Sequence, residues 1–146
     1  MAQYLAFDLE TTHRKPEQAE IVEVAAVAFD LVPEYRPRAE FQCLGRPVDN
    51  CKAAVAVHGI DDAMLRDQGT SSEAARRFVL WLDTVSDSRT ILVGHNILQY
   101  DLPVLRKYSP RLEALRAIDT LPMVRDIYPF LENFKLTTVH KYVNRS

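Results

Sequence analysis

The feature that most constrains this chain is an alternating stretch near its start, residues 4–12. The apolar members of the alternation are Leu5, Phe7 and Leu9, and this two-residue period predicts a β-strand. Because alternate side chains of a strand share a face, Asp8 and Glu10 lie on one side, with Cα atoms roughly 6–7 Å apart. Carboxylates that close repel each other, and a hard divalent ion such as Mg²⁺ or Mn²⁺ would relieve the repulsion. The alternative is a strand end with two solvated acids.

Two later stretches extend this strand into a sheet. Residues 21–29 (IVEVAAVAF) are apolar and β-branched with a single acid, which predicts a buried central strand. Residues 39–44 alternate between apolar and polar side chains and predict a third strand. The connection at residues 32–37 is too short for a crossover helix, so we expect these three strands to run antiparallel.

Helices and strands alternate in the rest of the chain. Thr70 and Glu73 have capping-box spacing ahead of apolar residues that recur at helical spacing up to Val85. Short apolar runs predict a fourth strand at residues 91–94 and a fifth at 117–119. The other expected elements are a short helix capped by Asp61, a helix that opens near Asp101, helices over residues 121–128 and 136–143, and an irregular segment over residues 47–55. The prediction is an α/β fold with a mixed five-stranded sheet, three antiparallel strands and then parallel ones, flanked by helices.

Asp101 is a third acid of interest because it directly follows the fourth predicted strand. Right-handed crossover connections favour a fourth strand that runs parallel to the first. Asp101 then lies at the sheet edge that also carries Asp8 and Glu10, where open α/β sheets usually bind ligands. The sequence therefore predicts that three carboxylates, far apart in the chain, converge at the strand ends.

Length and composition narrow the classes of protein that this chain could be. Its 146 residues fit one domain, residues 1–146, and its formal net charge of −2 leaves no general electropositive field for nucleic acid. Any contact with nucleic acid must therefore be local. No signal peptide and no apolar stretch of membrane-spanning length is present, so we expect a soluble cytoplasmic protein without a membrane partner. Cys43 and Cys51 match no zinc-ligand spacing and are interpreted as free, buried thiols.

The motifs resemble those of a known superfamily. Residues 7–12 (FDLETT) resemble the first motif of the DEDD 3′→5′ exonucleases (the DnaQ-like, DEDDh group), and residues 93–101 (VGHNILQYD) resemble the second. Residues 21–25, 57–60 and 119–121 match lesser landmarks of the family in the same order. The resemblance implies an RNase H-like fold, two divalent ions (Mg²⁺ or Mn²⁺), and hydrolysis of nucleotides from a 3′ end.

The same resemblance assigns roles to individual residues. It implies that the catalytic and metal-binding acids are Asp8, Glu10 and Asp101. The nucleic-acid contacts that it implies are Leu9, Thr11, Thr12, His58 and Asn96. For His58 the alternative is a loop histidine whose ring bonds the backbone, and His95 is interpreted as support for the turn after the fourth strand.

The family's third motif is where this sequence departs from the pattern. That motif supplies a fourth aspartate and, a few residues before it, a histidine or tyrosine that acts as general base. Five residues after His140 stands Arg145, and the sequence reaches Ser146 before the motif could occur. We therefore expect this domain to lack its closing motif, His140 to lie on a helix surface, and Asp119 to cap a helix rather than replace the missing acid.

Two functions follow as hypotheses. The first is a weakly active exonuclease domain that removes nucleotides from DNA 3′ ends in proofreading, repair or end-trimming, for example of CRISPR prespacers. The second is an inactive module that binds DNA ends or a protein partner. The expected partners are a single-stranded or frayed DNA 3′ end, with RNA left open, a polymerase or other DNA-processing protein, and a second copy of the chain through exposed apolar sheet. Another RNase H-like nuclease, such as a transposase core, fits the second motif less well.

Overall fold

A central mixed sheet organises the computed structural model, which describes residues 3–145 apart from the side chains of Arg111 and Ala114. The five strands of the described chain are β1 (Gln3–Thr11), β2 (Ile21–Asp30), β3 (Arg36–Leu44), β4 (Thr90–Gly94) and β5 (Arg116–Asp119). Their order is β3-β2-β1-β4-β5, with β1–β2 and β2–β3 antiparallel and β1–β4 and β4–β5 parallel. The predicted mixed sheet is confirmed, including the parallel pairing of the first and fourth strands.

Helices connect the later strands and also follow the last strand. They are α1 (Lys52–His58), α2 (Asp62–Leu65), α3 (Ser71–Val85), α4 (Leu102–Tyr108), α5 (Thr120–Ile127) and α6 (Leu136–Val143), together with a π-helical turn (Ile97–Asp101) and a 3₁₀ turn (Pro110–Ala114). The capping box of α3 is confirmed, since the Glu73 amide donates to Thr70 Oγ1 at 3.2 Å and the Thr70 amide donates to Glu73 Oε2 at 3.0 Å. Asp61 likewise caps α2 through the Met64 amide, at 3.0 Å.

One face of the sheet packs against α3 and carries the main core. Phe78 on α3 is 1% exposed and lies between Phe7 on β1 and Phe41 on β3, with ring centroids 5.9 and 5.7 Å away. The other buried side chains of β1 on this face are Leu5 and Leu9. Burial of this alternate row stabilises the sheet through the hydrophobic effect.

The opposite face of the sheet is more open. Ala6 pairs with Val27 on one side and Val93 on the other, and Val93 pairs with Ile118, so a row of apolar residues crosses four strands. Ile118 is 38% exposed. A groove of about 360 Å³ is lined by three residues of this row, Ala6, Val27 and Val93, and by Asp8. The acids of β1 therefore face an open surface rather than the core.

Two elements and one cysteine differ from the sequence prediction. Helix α1 (Lys52–His58) replaces the second half of the segment predicted to be irregular, and β3 begins at Arg36 rather than residue 39. Pro37 is tolerated in β3 because that strand is an edge of the sheet. Cys43 is buried as predicted, but Cys51 is only partly buried because it precedes the exposed helix α1.

No helix within residues 3–145 is both long enough and apolar enough to cross a membrane.

Candidate active site

The site forms where β1 ends beside the turn that follows β4. Asp8 and Glu10 lie on the open face of β1, on either side of Leu9. Asp101 is buried, only 4% exposed, and its Oδ2 atom accepts a hydrogen bond from the Leu9 amide at 3.0 Å. This bond joins residues 92 positions apart and brings the third acid to β1, as the sequence predicts.

Gly94 and the π-helical turn that follows it determine the position of Asp101. A Cβ atom on Gly94 would lie 2.1 Å from Ile97 Cγ2 and 3.0 Å from the Phe7 carbonyl oxygen, so only glycine fits this close approach. The Leu102 amide then bonds the Ile97 carbonyl, five residues back. Such i→i+5 turns are rare and occur frequently at functional sites.

The acids raise one another's affinity for protons. Burial, and then the charge of Asp8, raises the pKa of Asp101 to about 7. Burial also raises the pKa of Asp8, and burial followed by the charge of Asp8 raises that of Glu10. Burial is the first cause of each shift and neighbouring carboxylates add to it, whereas His95 partly offsets the shift of Asp8.

Glu23 is a fourth acid of this neighbourhood, and sequence reasoning did not include it. It lies on β2 directly opposite Glu10, and its charge raises the pKa of both Asp8 and Glu10. Gln42 Nε2 donates to Glu23 Oε2 at 2.6 Å and holds the side chain. The available signal was a lone acid within an otherwise apolar strand, but its position depends on the β1–β2 register, which the sequence does not specify.

A pocket of about 560 Å³ adjoins the acids. Its walls are the end of β1 with the residues that follow it, helix α1, and Tyr100 from the π-helical turn. Of the predicted nucleic-acid contacts, Leu9, Thr11, Thr12 and His58 line this pocket. The lining residues that sequence reasoning missed include Cys51, Val57 and Tyr100.

His58 lines this pocket, and its ring bonds the backbone, as the alternative interpretation of this residue expects. Its Nδ1 atom accepts a hydrogen bond from the Ile60 amide at 3.0 Å, so the proton of the neutral ring is on Nε2. Burial lowers the pKa of His58 and favours that neutral form. The Nε2 atom is buried and has no hydrogen-bond partner among the described residues.

Comparison with known proteins decides the family. A family model described as exonuclease (RNase_T) matches residues 5–145. This chain belongs to the exonuclease family. It is thereby a member of the DEDD 3′→5′ exonuclease superfamily that its motifs resemble.

Relatives of this exonuclease domain include DNA polymerase III proteins. It is 32% identical over 144 residues to the PolC-type DNA polymerase III of Bacillus subtilis, covering 94% of this chain and 9% of that protein. It is 30% identical over 134 residues to the epsilon subunit of DNA polymerase III of Rickettsia typhi, covering 86% of this chain and 56% of the subunit. The domain thus spans less than two thirds of either relative.

Solved structures confirm the fold of the exonuclease domain. Escherichia coli exonuclease I in complex with a 5cy-dA13 oligonucleotide superposes with a TM-score of 0.81 at 21% identity, over 99% of this chain and 36% of that one. The apo form of exonuclease I superposes with a TM-score of 0.80 at 20% identity, over 97% of this chain and 37% of that chain. The predicted RNase H-like α/β fold is confirmed.

Other candidate residues of the exonuclease domain have structural contacts. Asp119 caps α5 as predicted, and its carboxylate accepts bonds from the amides of Leu121, Asn96 and Leu98 at 2.9, 2.8 and 3.1 Å. Asn96 has a left-handed backbone (φ 63°) and does not line the pocket. His95 contacts Thr120 Oγ1 through Nδ1 and the Phe134 carbonyl through Nε2, at 2.9 and 2.6 Å, so it supports the turn as interpreted.

The acidic groups suit a divalent ion by type, although they form no closed cage. Within the described chain, no three His, Cys, Asp or Glu side chains are grouped so as to hold an ion as they stand. Mg²⁺ is commonly bound by one or two carboxylates together with water and substrate phosphates. Asp8, Glu10 and Asp101, which repel one another, match that partial oxygen ligand set.

Proposed function

We propose that this chain is a metal-dependent 3′→5′ exonuclease domain that removes nucleotides from DNA 3′ ends. The observation that carries the proposal is the bond between the Leu9 amide and Asp101, which brings the acids of the first and second motifs to one end of the sheet. Membership of the exonuclease family supports the reaction class. The DNA polymerase relatives favour DNA over RNA as the substrate.

Asp8, Glu10 and Asp101 are the residues that would hold Mg²⁺ or Mn²⁺. When bound, two such ions activate water, stabilise the leaving oxygen and neutralise phosphate. The Leu9 amide fixes the orientation of the Asp101 carboxylate. The raised pKa values of these acids support the assignment, because carboxylates that resist ionisation together are those that a cation would stabilise.

The pocket beside the acids is proposed to receive the 3′-terminal nucleotide. Residues 9–12 supply one wall, and α1 supplies the other. The Nε2–H group of His58 would donate to a sugar, base or phosphate acceptor of that nucleotide. We also propose that Asn96 acts indirectly, through the turn that leads to Asp101.

The polymerase relatives favour proofreading over repair or CRISPR end-trimming as the setting. One relative is a PolC-type polymerase and another is a polymerase epsilon subunit. A DNA polymerase is therefore the proposed protein partner, and a single-stranded or frayed 3′ end is the proposed nucleic-acid partner.

The second candidate is a module that binds DNA ends or protein without cleaving. His140 supports this candidate. The family's general base stands a few residues before an aspartate, whereas His140 is exposed on α6 and the residue five positions later is Arg145. A module that uses no general base lacks a contribution of about 10²–10⁴-fold to the rate, so this candidate predicts DNA binding without measurable cleavage.

The test is a time course with 5′-labelled single-stranded DNA in Mn²⁺, comparing wild type with Asp8→Ala and with Asp126→Ala. Asp126 is an exposed acid of α5 outside the pocket and serves as the matched control. We expect stepwise shortening from the 3′ end that Asp8→Ala abolishes and Asp126→Ala preserves. Binding without shortening would establish the second candidate, and shortening that persists in Asp8→Ala would refute the assigned acids.

A further inference from the structure

The hydroxyl of Tyr100 joins the second motif to the pocket wall. Tyr100 OH donates to the carbonyl oxygen of His13 and lies within hydrogen-bond distance of Thr11 Oγ1. Thr11 Oγ1 also lies 3.2 Å from the same carbonyl oxygen, so the two hydroxyl groups and this carbonyl form one cluster in which two protons serve three contacts. Thr11 and Tyr100 both line the pocket beside the acids.

Tyr100 and Asp101 are consecutive residues that bind successive parts of the same segment. Asp101 accepts from the Leu9 amide, whereas Tyr100 holds Thr11 and His13. The π-helical turn carries both side chains toward the end of β1. The pair therefore connects the acid site and the pocket wall to one rigid turn.

The wall needs such a support because the regular sheet ends there. The β1–β2 register shifts between Glu10 and Thr11. Beyond that point Thr12 is tied to Glu20, by a backbone bond of 3.1 Å and by a side-chain bond of 3.0 Å. The Tyr100 hydroxyl holds the residues on either side of Thr12.

We propose that Tyr100 is a positioning residue whose hydroxyl fixes residues 11–13 relative to Asp101 and thereby sets the affinity for the 3′-terminal nucleotide. The inference rests on the proposed exonuclease function. The hydroxyl is engaged with the protein and touches no reacting atom, and Asp101 keeps its own bond to Leu9. Its loss should therefore weaken substrate and transition state alike, which raises KM and leaves kcat little changed.

The test compares Tyr100→Phe with Tyr108→Phe. Tyr108 is also partly buried, and its hydroxyl bonds to Ile21 and Ser71, outside the pocket. Each variant keeps its aromatic ring and loses the hydrogen bonds of one hydroxyl group. The measurements are KM and kcat with single-stranded DNA in Mn²⁺, Kd for the same strand with phosphorothioate 3′ linkages, and Tm.

We expect Tyr100→Phe to raise KM and Kd about fivefold to tenfold, the value of one net hydrogen bond, with kcat within about threefold of wild type. Tyr108→Phe should leave KM and Kd within about twofold of wild type. The fall in Tm should be small and similar in the two variants. Unchanged KM and Kd in Tyr100→Phe would overturn the inference. So would an equal rise in Tyr108→Phe, or a fall in kcat alone.

The two proposals fail separately. Cleavage by wild type with no change of KM or Kd in Tyr100→Phe removes the positioning role and leaves the exonuclease. Binding that Tyr100→Phe weakens, without cleavage by wild type, removes the exonuclease and keeps the positioning role. A wild-type chain that neither binds nor cleaves refutes both.

Discussion

The two faces of the central sheet perform different tasks with alternate residues of the same strand. On the covered face, Phe7 and its apolar neighbours pack against Phe78 and stabilise the fold. On the open face, Asp8 and Glu10 lie close enough to repel each other, which destabilises the metal-free fold. Residues that stabilise the fold therefore alternate along β1 with the candidate site residues, and the face to which a side chain points determines which of the two roles it has.

The largest expected effect on stability is on the covered face. Phe78→Ala should lower the free energy of unfolding by about 3–5 kcal/mol, because Phe78 is fully buried against several aromatic rings. Ile118→Ala on the open face should cost about 1 kcal/mol or less. Urea unfolding followed by circular dichroism measures both. Equal losses in the two variants would contradict the division between faces.

The next effect is the pH dependence caused by Asp101. Its pKa is about 7 in the fold against an ordinary 3.8, so the folded state binds the proton more tightly. This contribution to stability is fully present below about pH 4 and is lost as pH rises through 7, on the order of 4 kcal/mol at most. Asp101→Asn, which resembles the protonated acid, should be more stable than metal-free wild type at pH 8.

Thermal unfolding at pH 5 and pH 8 in EDTA checks this expectation, with Asp126→Asn as the control. The fall in Tm between pH 5 and pH 8 should be as large in Asp126→Asn as in wild type and smaller in Asp101→Asn. Part of it should persist there because the pKa values of Asp8 and Glu10 are raised in the same direction. If wild type became more stable between pH 5 and pH 8, Asp101 would not lie in an environment that favours its protonated form.

A smaller effect should come from the ion itself. Mn²⁺ at ten times its Kd should stabilise the fold by about 1.4 kcal/mol, because only the folded state gathers the three acids. Differential scanning fluorimetry should show a rise in Tm of about 4 °C in wild type, and none in Asp8→Ala. An equal rise in both proteins would place the binding elsewhere.

The smallest effect concerns self-association through the open face. The apolar row that includes Val93 and Ile118 is expected to form a weak homodimer. Sedimentation velocity should show an average mass that increases with protein concentration, and Val93→Glu should abolish the increase. A strictly monomeric wild type at high micromolar concentration would rule out this interface.

Much of the fold was predictable because its elements carry local signals. The alternation in β1, the capping box of α3 and the strand-ending Gly94 each specify a conformation through the adjacent sequence. Helix α1 was missed because it buries no residue and no side chain caps its start, so it lacks an apolar periodicity and an N-terminal signal. The signal that was available is Gly59, whose left-handed backbone ends the helix.

The site was predictable in part for the same reason. The three acids follow from two motifs, since both end strands that run parallel. Glu23 and Tyr100 could not be assigned, because one depends on strand register and the other on a π-helical turn. Their signals in the sequence, a lone acid in an apolar strand and a tyrosine within the second motif, do not by themselves assign a role.

The alternation of β1 also determines which kinds of mutation this domain can tolerate. An insertion or deletion of one residue before Asp8 would slip the strand and exchange its two faces. The carboxylates would then point into the aromatic core and the phenylalanine would be exposed to solvent. One change of length would therefore remove both the core packing and the catalytic site. Variation in this strand is therefore restricted to substitution, and length changes are confined to the connecting loops.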